Sequence, residues 1–247
     1  TKGKTGLEAL ANFYLMQSSA NPVTQVVNEI METKSLGDNV VTTLDAGLQK
    51  VAYDALGDQK GAVIAVNPTT GEVLAMASKP SFDPNTIVED WDDIVNNQSA
   101  AAPLLNRCTQ GLYAPGSTFK IVMALEYMRE HPNDWQDFRF DCDGEYQDPA
   151  NERYVVHCYG GETHGSEDLS SAFANSCNAA FSKIGTLTDS KKLLETGDAL
   201  LFNQDLPISI TSSKSRLKLA ADADPWTLMQ TAIGQGDTMM SPLHEVI

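Results

Sequence analysis

Ser117 and Lys120 stand three residues apart in Tyr113-Ala114-Pro115-Gly116-Ser117-Thr118-Phe119-Lys120, ahead of the apolar run Ile121-Val122-Met123-Ala124-Leu125. Pro115-Gly116 reads as a turn, and Ser117 as the N-cap or first-turn residue of a helix. On such a helix positions i and i+3 share a face, so the hydroxyl and the amine become neighbours. Burial makes a lysine shed its proton, because desolvation disfavours the charged form, and the pair can then act as nucleophile and base. Amide groups at the start of the helix can stabilise an oxyanion formed beside the serine.

A second triplet, Ser176-Cys177-Asn178, lies in a break between two helical stretches. Its hydroxyl can relay a proton between an amine and a leaving group, and its amide can both donate to and accept from a substrate amide. Both patterns are cheap. Ser215-Arg216-Leu217-Lys218 repeats the first in a polar run that reads as a solvated loop or helix surface, and Ser19-Ala20-Asn21 repeats the second in what reads as a loop. The plain alternatives are an N-cap serine with an exposed lysine one turn on, and an interhelical turn with an asparagine cap.

The elements that must position these residues follow from periodicity. Leu7, Leu10, Ala11, Tyr14 and Leu15 recur at helical spacing over 7–17, a polar stretch from Ser18 to Pro22 ends that helix, and residues 23–32 fit either a helix or an irregular strand. Val40 to Leu44 reads as a strand, with Asp45 capping a helix that carries Leu48, Val51, Ala52, Ala55 and Leu56. Residues 62–66 and 72–77 form the clearest hairpin, apolar on both faces as in a sheet covered by helices. A Pro-, Asp- and Asn-rich connection spans 80–100, and an irregular region runs from His131 to Gly165. Helices are then expected from Asp168 to Ala174, after Asn178, and through Trp226, Leu228, Met229 and Ile233 up to Gly234-Gln235-Gly236.

The chain has 247 residues, of which 42% are hydrophobic, enough for a sizeable core. Its net charge of −16 argues against a nucleic-acid partner and gives no anionic-membrane signature. No apolar run approaches the ~18 residues of a membrane span, and no signal peptide opens the sequence. The chain is expected to be a piece of a longer protein, any anchor or export signal lying upstream. Four cysteines are too few for a disulfide scaffold, but Cys142 and Cys158 bracket a turn-rich stretch where a bridge would serve, pointing to an oxidising, extracytoplasmic setting. Two free thiols rank second. A zinc site from Cys142, His157, Cys158 and His164 ranks last for want of C-x-x-C or H-x-x-x-H spacing, so no metal and no cofactor is expected. Cys177 reads as a small packing residue, and Cys108 has no evident partner.

Order and flanking residues carry more than any single motif. Thr42-Thr43-Leu44-Asp45 with Leu48-Gln49, Gly61-Ala62-Val63, Thr70 to Met76, Pro80 to Asn85, Tyr113 to Lys120, His164-Gly165, Asn175 to Phe181, and Ile233 to Gly236 with Ser241-Pro242-Leu243 jointly resemble the transpeptidase domain of class B penicillin-binding proteins. The resemblance covers roughly residues 39–247 and implies an α+β penicillin-binding transpeptidase fold: an antiparallel sheet flanked by helices, plus a helical subdomain. Gly6-Leu7-Glu8 resembles the junction preceding that domain, which makes residues 1–38 the tail of a non-catalytic N-terminal module.

The resemblance also implies roles. Ser117 is the acylated nucleophile, Lys120 its base, and Ser176 a proton shuttle; Asn178 and the Gly234-Gln235-Gly236 segment hold substrate. The substrate is the D-Ala-D-Ala end of a peptidoglycan stem peptide, β-lactams are covalent ligands, and divisome or elongation proteins are the expected protein partners. The site of action is the outer face of a bacterial cytoplasmic membrane. The family's K-T-G motif, expected after Gly236, is missing, and Lys4-Thr5-Gly6 matches it at the wrong end of the chain. The fold is therefore expected to be incomplete at the C-terminus and the fragment inactive alone. Two alternatives remain: a serine β-lactamase or β-lactam sensor, which shares the first two motifs, and a non-catalytic cell-wall scaffold.

Overall fold

The computed structural model describes residues 3, 5–16, 26–27, 30–31, 37–96 and 102–247. The chain divides into two compact units, residues 1–111 with 207–213 and 242–247, and residues 112–206 with 214–241. The expectations for 18–22 and most of 23–32 fall outside the described residues.

In the first unit, α1 (Gly6–Leu10) and α2 (Asn12–Met16) replace the single helix expected over 7–17. Asn12, the first residue of α2, accepts from the Gly3 amide through its side chain at 2.8 Å. Neither helix buries a residue. Val40 to Leu44 is not a strand. The Thr43 hydroxyl, rather than a backbone amide, donates to the Val73 carbonyl at 2.6 Å, and the Asp45 amide donates to Leu74 at 2.9 Å. Asp45 caps α3 (Ala46–Ala55) as expected, accepting from the Leu48 amide.

The hairpin forms as β1 (Gly61–Val66) and β2 (Val73–Lys79), antiparallel with Ile64 opposite Met76. Ala75 and Ala77 are buried in a cluster with Ala52 of α3. The outward-facing backbone of β2 is not left bare at Met76, where the Gln49 side chain donates to the carbonyl at 2.9 Å and accepts from the amide at 2.7 Å. A glutamine thereby stands in for one rung of a neighbouring strand and blunts the edge. Within this unit α4 (Trp91–Asn96) lies in the acidic connection, and a terminal helix, Pro242–Val246, packs on β1.

The second unit is built on α5 (Lys120–Glu130). Four strands occupy the region expected to be irregular: β3 (Phe140–Cys142) pairs with β6 (Gly165–Glu167), and β4 (Glu145–Asp148) with β5 (Asn151–His157), both antiparallel. Their brevity and their Asp, Glu and Asn content hide them from a period-2 reading. Helices α6 (Leu169–Ala174), α7 (Asn178–Leu187), α8 (Ser190–Ala199) and α9 (Pro225–Ala232) follow. Phe119, Met123, Phe181, Ile184, Leu193 and Phe202 form the centre of one buried cluster.

No described helix is long and apolar enough to cross a membrane. The α7–α9 crossing depends on Gly185, where an added Cβ would lie 2.6 Å from the Leu228 carbonyl oxygen and 2.8 Å from Ala232 Cβ. Gly185→Ala is expected to cost about 1–3 kcal/mol through overpacking, measured by denaturant or thermal unfolding. An unchanged midpoint would show that the helices are free to separate.

Candidate active site

Ser117 is not an N-cap. It lies in a 3₁₀ turn, Gly116–Phe119, that runs directly into α5. Three residues per turn bring positions i and i+3 almost into eclipse, so the tighter helix aligns Ser117 with Lys120 more closely than an α-helix would. Ser117 is exposed, whereas Lys120 is 1% exposed beneath it, with Nζ 3.3 Å from Ser117 Oγ. The amine is buried beside the hydroxyl, and the plain alternative of an exposed lysine does not hold.

The turn before Ser117 is held by a close backbone approach. The Gly116 amide donates to the Gly234 carbonyl at 2.9 Å. Gly234 has φ +66°, and a Cβ there would lie 2.1 Å from the Gly116 carbonyl oxygen. Gly234 therefore supports the serine's turn, while its neighbour Gln235 lines the cavity beside Ser117. Gly236, also at positive φ, is not among the lining residues.

The second triplet is placed by a helix terminus. After α6, the Ser176 amide donates to the Phe173 carbonyl at 3.0 Å and the Cys177 amide to that of Ala172 at 2.9 Å. These are the two bonds of a Schellman ending, with Ser176 at φ +51° in the left-handed position that glycine usually fills. Cys177 then caps α7, its sulfur accepting from the Ala180 amide at 3.3 Å. The Asn178 side chain sits at the head of α7, and Ser176 remains exposed.

Lys120 joins the two triplets. Its Nζ donates to the Ser176 carbonyl at 2.6 Å and to Asn178 Oδ1 at 2.7 Å, and lies 3.1 Å from Ser176 Oγ. Asn178 in turn donates to the His157 carbonyl at 3.2 Å. Burial lowers the Lys120 amine to about 8, opposed by the neighbouring Cys177, Cys158 and Glu167. A neutral amine has two hydrogens and one lone pair. With the two short bonds taking the hydrogens, the lone pair is left for the Ser117 hydroxyl.

The cavity beside these groups measures about 460 Å³ and is lined by Ser117, Ser176, Asn178, Gln235 and His164, with Tyr159 and Glu162 also contributing. Tyr159 and Glu162 were not singled out in the sequence, having no motif to mark them. A larger hollow of about 700 Å³ in the first unit contains none of the residues expected to do chemistry. The decoy Ser215–Lys218 pair is excluded by placement, though not for the reason of exposure. Ser215 is buried with Oγ accepting from the Ser241 amide at 3.1 Å, Arg216 bridges to Met239, and Lys218 instead faces Asp237 at 3.1 Å. Ser19-Ala20-Asn21 lies outside the described residues.

All four cysteines are free. Cys142 and Cys158, expected as a bridge, have sulfurs 3.7 Å apart, well beyond the roughly 2.05 Å of a disulfide. Cys177 is buried and packs as expected, but its sulfur also lies 3.5 Å from Cys142 and 3.7 Å from Cys158. His164 Nδ1 completes the group at 3.3 Å from Cys142 and 3.7 Å from Cys158. These are the described residues that could hold a metal ion. His157, included in the sequence reading of such a site, instead faces Glu145 at 3.1 Å on the surface. Burial works to raise the Cys142 thiol, but hydrogen bonds from the His164 amide and ring outweigh it and bring it to about 7.

Comparison with known proteins agrees with this geometry. Residues 61–246 match the family model for the penicillin binding protein transpeptidase domain. Peptidoglycan D,D-transpeptidase PbpA of Mycobacterium tuberculosis is 31% identical over 224 residues, a match covering 84% of this chain and 44% of that protein. Peptidoglycan D,D-transpeptidase MrdA of Acinetobacter baumannii is 29% identical over 222 residues, covering 84% of this chain and 32% of its own length. Penicillin-binding protein A of M. tuberculosis, solved as a ceftriaxone acyl-enzyme complex, superposes with a TM-score of 0.76 at 27% identity, over 90% of this chain and 52% of that one. The chain thus spans less than half the length of these two curated relatives. With the Ser117–Lys120 turn and the Ser176–Asn178 triplet both inside the matched region, the chain belongs to the penicillin-binding protein transpeptidase domain family.

Proposed function

We propose that the protein of which this chain is part is a peptidoglycan D,D-transpeptidase working through an acyl-enzyme on Ser117. The observation that carries the reading is the position of the buried Lys120 amine, 3.3 Å from Ser117 Oγ while it holds both Ser176 and Asn178. A scaffold module has no use for a desolvated amine against an exposed hydroxyl. The designation of relatives as peptidoglycan D,D-transpeptidases and the acyl-enzyme state of a similar solved structure support the same assignment.

In this mechanism Lys120 Nζ takes the Ser117 proton as Oγ attacks the carbonyl carbon of the penultimate D-alanine. The tetrahedral adduct collapses with cleavage of the C–N bond. The departing nitrogen receives a proton through Ser176 Oγ, 3.1 Å from Nζ, and terminal D-alanine leaves. An amine of a neighbouring stem peptide then attacks the ester carbonyl, gives up its proton by the reverse relay, and restores Ser117. Asn178 aligns the peptide backbone of the donor, and Gln235 faces it from the other lining segment. A β-lactam presents the same carbonyl but keeps its leaving nitrogen tethered, so its acyl-enzyme persists. The reaction belongs on the outer face of a bacterial cytoplasmic membrane, with residues 1–38 as the tail of an N-terminal module and divisome or elongation proteins as partners.

Incubation with a penicillin should add one penicilloyl mass to the protein, absent in Ser117→Ala and lost slowly in the unmodified enzyme, as read by intact-protein mass spectrometry. Labelling that survives in Ser117→Ala would end the assignment, and rapid loss of the adduct would favour a β-lactamase. Asn178→Ala should slow acylation at least tenfold while leaving the fold's circular dichroism unchanged, since it removes one of the two short bonds that orient Lys120. Gly234→Ala should lower both acylation rate and thermal midpoint, because its Cβ cannot coexist with the Gly116 carbonyl. Full acylation by that variant would show that the turn tolerates displacement.

A further inference from the structure

Three cysteine sulfurs and one imidazole nitrogen converge behind the Ser176–Asn178 triplet, all within 4.8 Å of one another. Their spacing is the relevant observation. A tetrahedral zinc ion with Zn–S of about 2.3 Å and Zn–N of about 2.05 Å has S···S edges of about 3.8 Å and S···N edges of about 3.6 Å. Here the S···S separations are 3.5, 3.7 and 3.7 Å, and two S···N separations are 3.3 and 3.7 Å. Five of the six donor-to-donor edges are thus close to those of such a tetrahedron, and the sixth, Cys177 Sγ to His164 Nδ1, is within 4.8 Å.

Backbone donors also converge on the three sulfurs. The Ala180 amide points at Cys177 Sγ, and backbone amides of Ala179 and of His164 and Gly144 do the same for Cys158 and Cys142. Such N–H···S contacts stabilise negative sulfur, as helix starts do. The far ring nitrogen of His164 points toward the Glu162 carboxylate, 3.9 Å away and beyond hydrogen-bond distance. A disulfide would pair only two of three almost equidistant sulfurs and leave one over. The set is closed, with four protein donors, three of them buried cysteines, so it leaves no position for substrate.

We propose that Cys142, Cys158, Cys177 and His164 bind one structural zinc ion that braces the catalytic triplet. The four donors come from β3, the end of β5, the segment before β6 and the cap of α7. Cys177 is itself the middle residue of Ser176-Cys177-Asn178, so the metal fixes the α6–α7 break on which Ser176 and Asn178 reach Lys120. This bracing rests on the transpeptidase reading, whereas the metal site does not.

The test is metal content of the complete chain, loaded with zinc under reducing conditions, dialysed, and measured by inductively coupled plasma mass spectrometry. About one zinc per chain is expected, retained in Cys108→Ser, whose thiol lies elsewhere, and lost in Cys158→Ser. Replacement by cobalt should give near-ultraviolet thiolate-to-cobalt charge transfer and the intense visible bands of a tetrahedral site. This spectrum on the unmodified chain decides the matter even if Cys158→Ser does not fold.

A folded protein that takes up no zinc or cobalt, or one that keeps its zinc in folded Cys158→Ser, would overturn the proposal. Chelation should also slow penicillin acylation reversibly. Zinc bound with acylation unaffected would remove the bracing role and leave the site, while zinc bound with no acylation of Ser117 under any condition would count against the transpeptidase reading alone.

Discussion

Lys120 is almost fully buried, and its amine is surrounded by oxygen atoms from three other residues of the active-site region. Burying a charged amine is costly, and proteins meet that cost by hydrogen bonding, by neutralisation, or by both. Here both operate. The Ser176 carbonyl and Asn178 Oδ1 satisfy the N–H groups, and desolvation lowers the affinity for the third proton. The rest of the site can be understood as what this arrangement requires. A 3₁₀ turn presents the serine above the amine, a Schellman ending delivers a carbonyl and a hydroxyl, and a helix start delivers the asparagine. Moving any one of them would leave a buried donor without its acceptor, at roughly 1–3 kcal/mol.

Two backbone conformations make that convergence possible. Gly234 makes a contact with Gly116 that excludes any side chain, so the need for glycine there follows from packing against the turn. Ser176 adopts the left-handed conformation although it has a Cβ. Strain of this kind is retained where the surrounding structure compels it, and it is concentrated at sites of function. The flanking cysteine lies within a buried sulfur cluster directly behind the strained residue.

Much of the site was legible because its residues are local in sequence. Ser117 and Lys120 lie within one turn, as do Ser176 and Asn178, and the glycine pair follows a clear helical run. What joins them is not local: the contact from Lys120 to Ser176 spans 56 positions, and that between Cys142 and Cys177 spans 35. No spacing rule reports such encounters, which is why the zinc reading from the sequence chose His157, adjacent to Cys158, over the more distant Cys177. The hairpin at 61–79 was legible for its alternating turn and apolar runs. By contrast, the strands between 140 and 167 are short and polar, and Val40 to Leu44 looked like a strand although Thr43 satisfies its neighbour through a side chain. The Ser215 decoy shows the converse error, since a polar composition concealed a buried residue that supports the Ser241 amide.

The account stands on Lys120 being a neutral base at working pH, and the most direct measurement is the pH dependence of the second-order rate of penicillin acylation. A lowered pKa of about 8 leaves about 1% of the amine neutral at pH 6 and about 90% at pH 9. The rate should therefore climb through an inflection near 8 and level off above it. A rate independent of pH across that interval, or one that begins to rise only above pH 10, would contradict the assignment of Lys120 as the base.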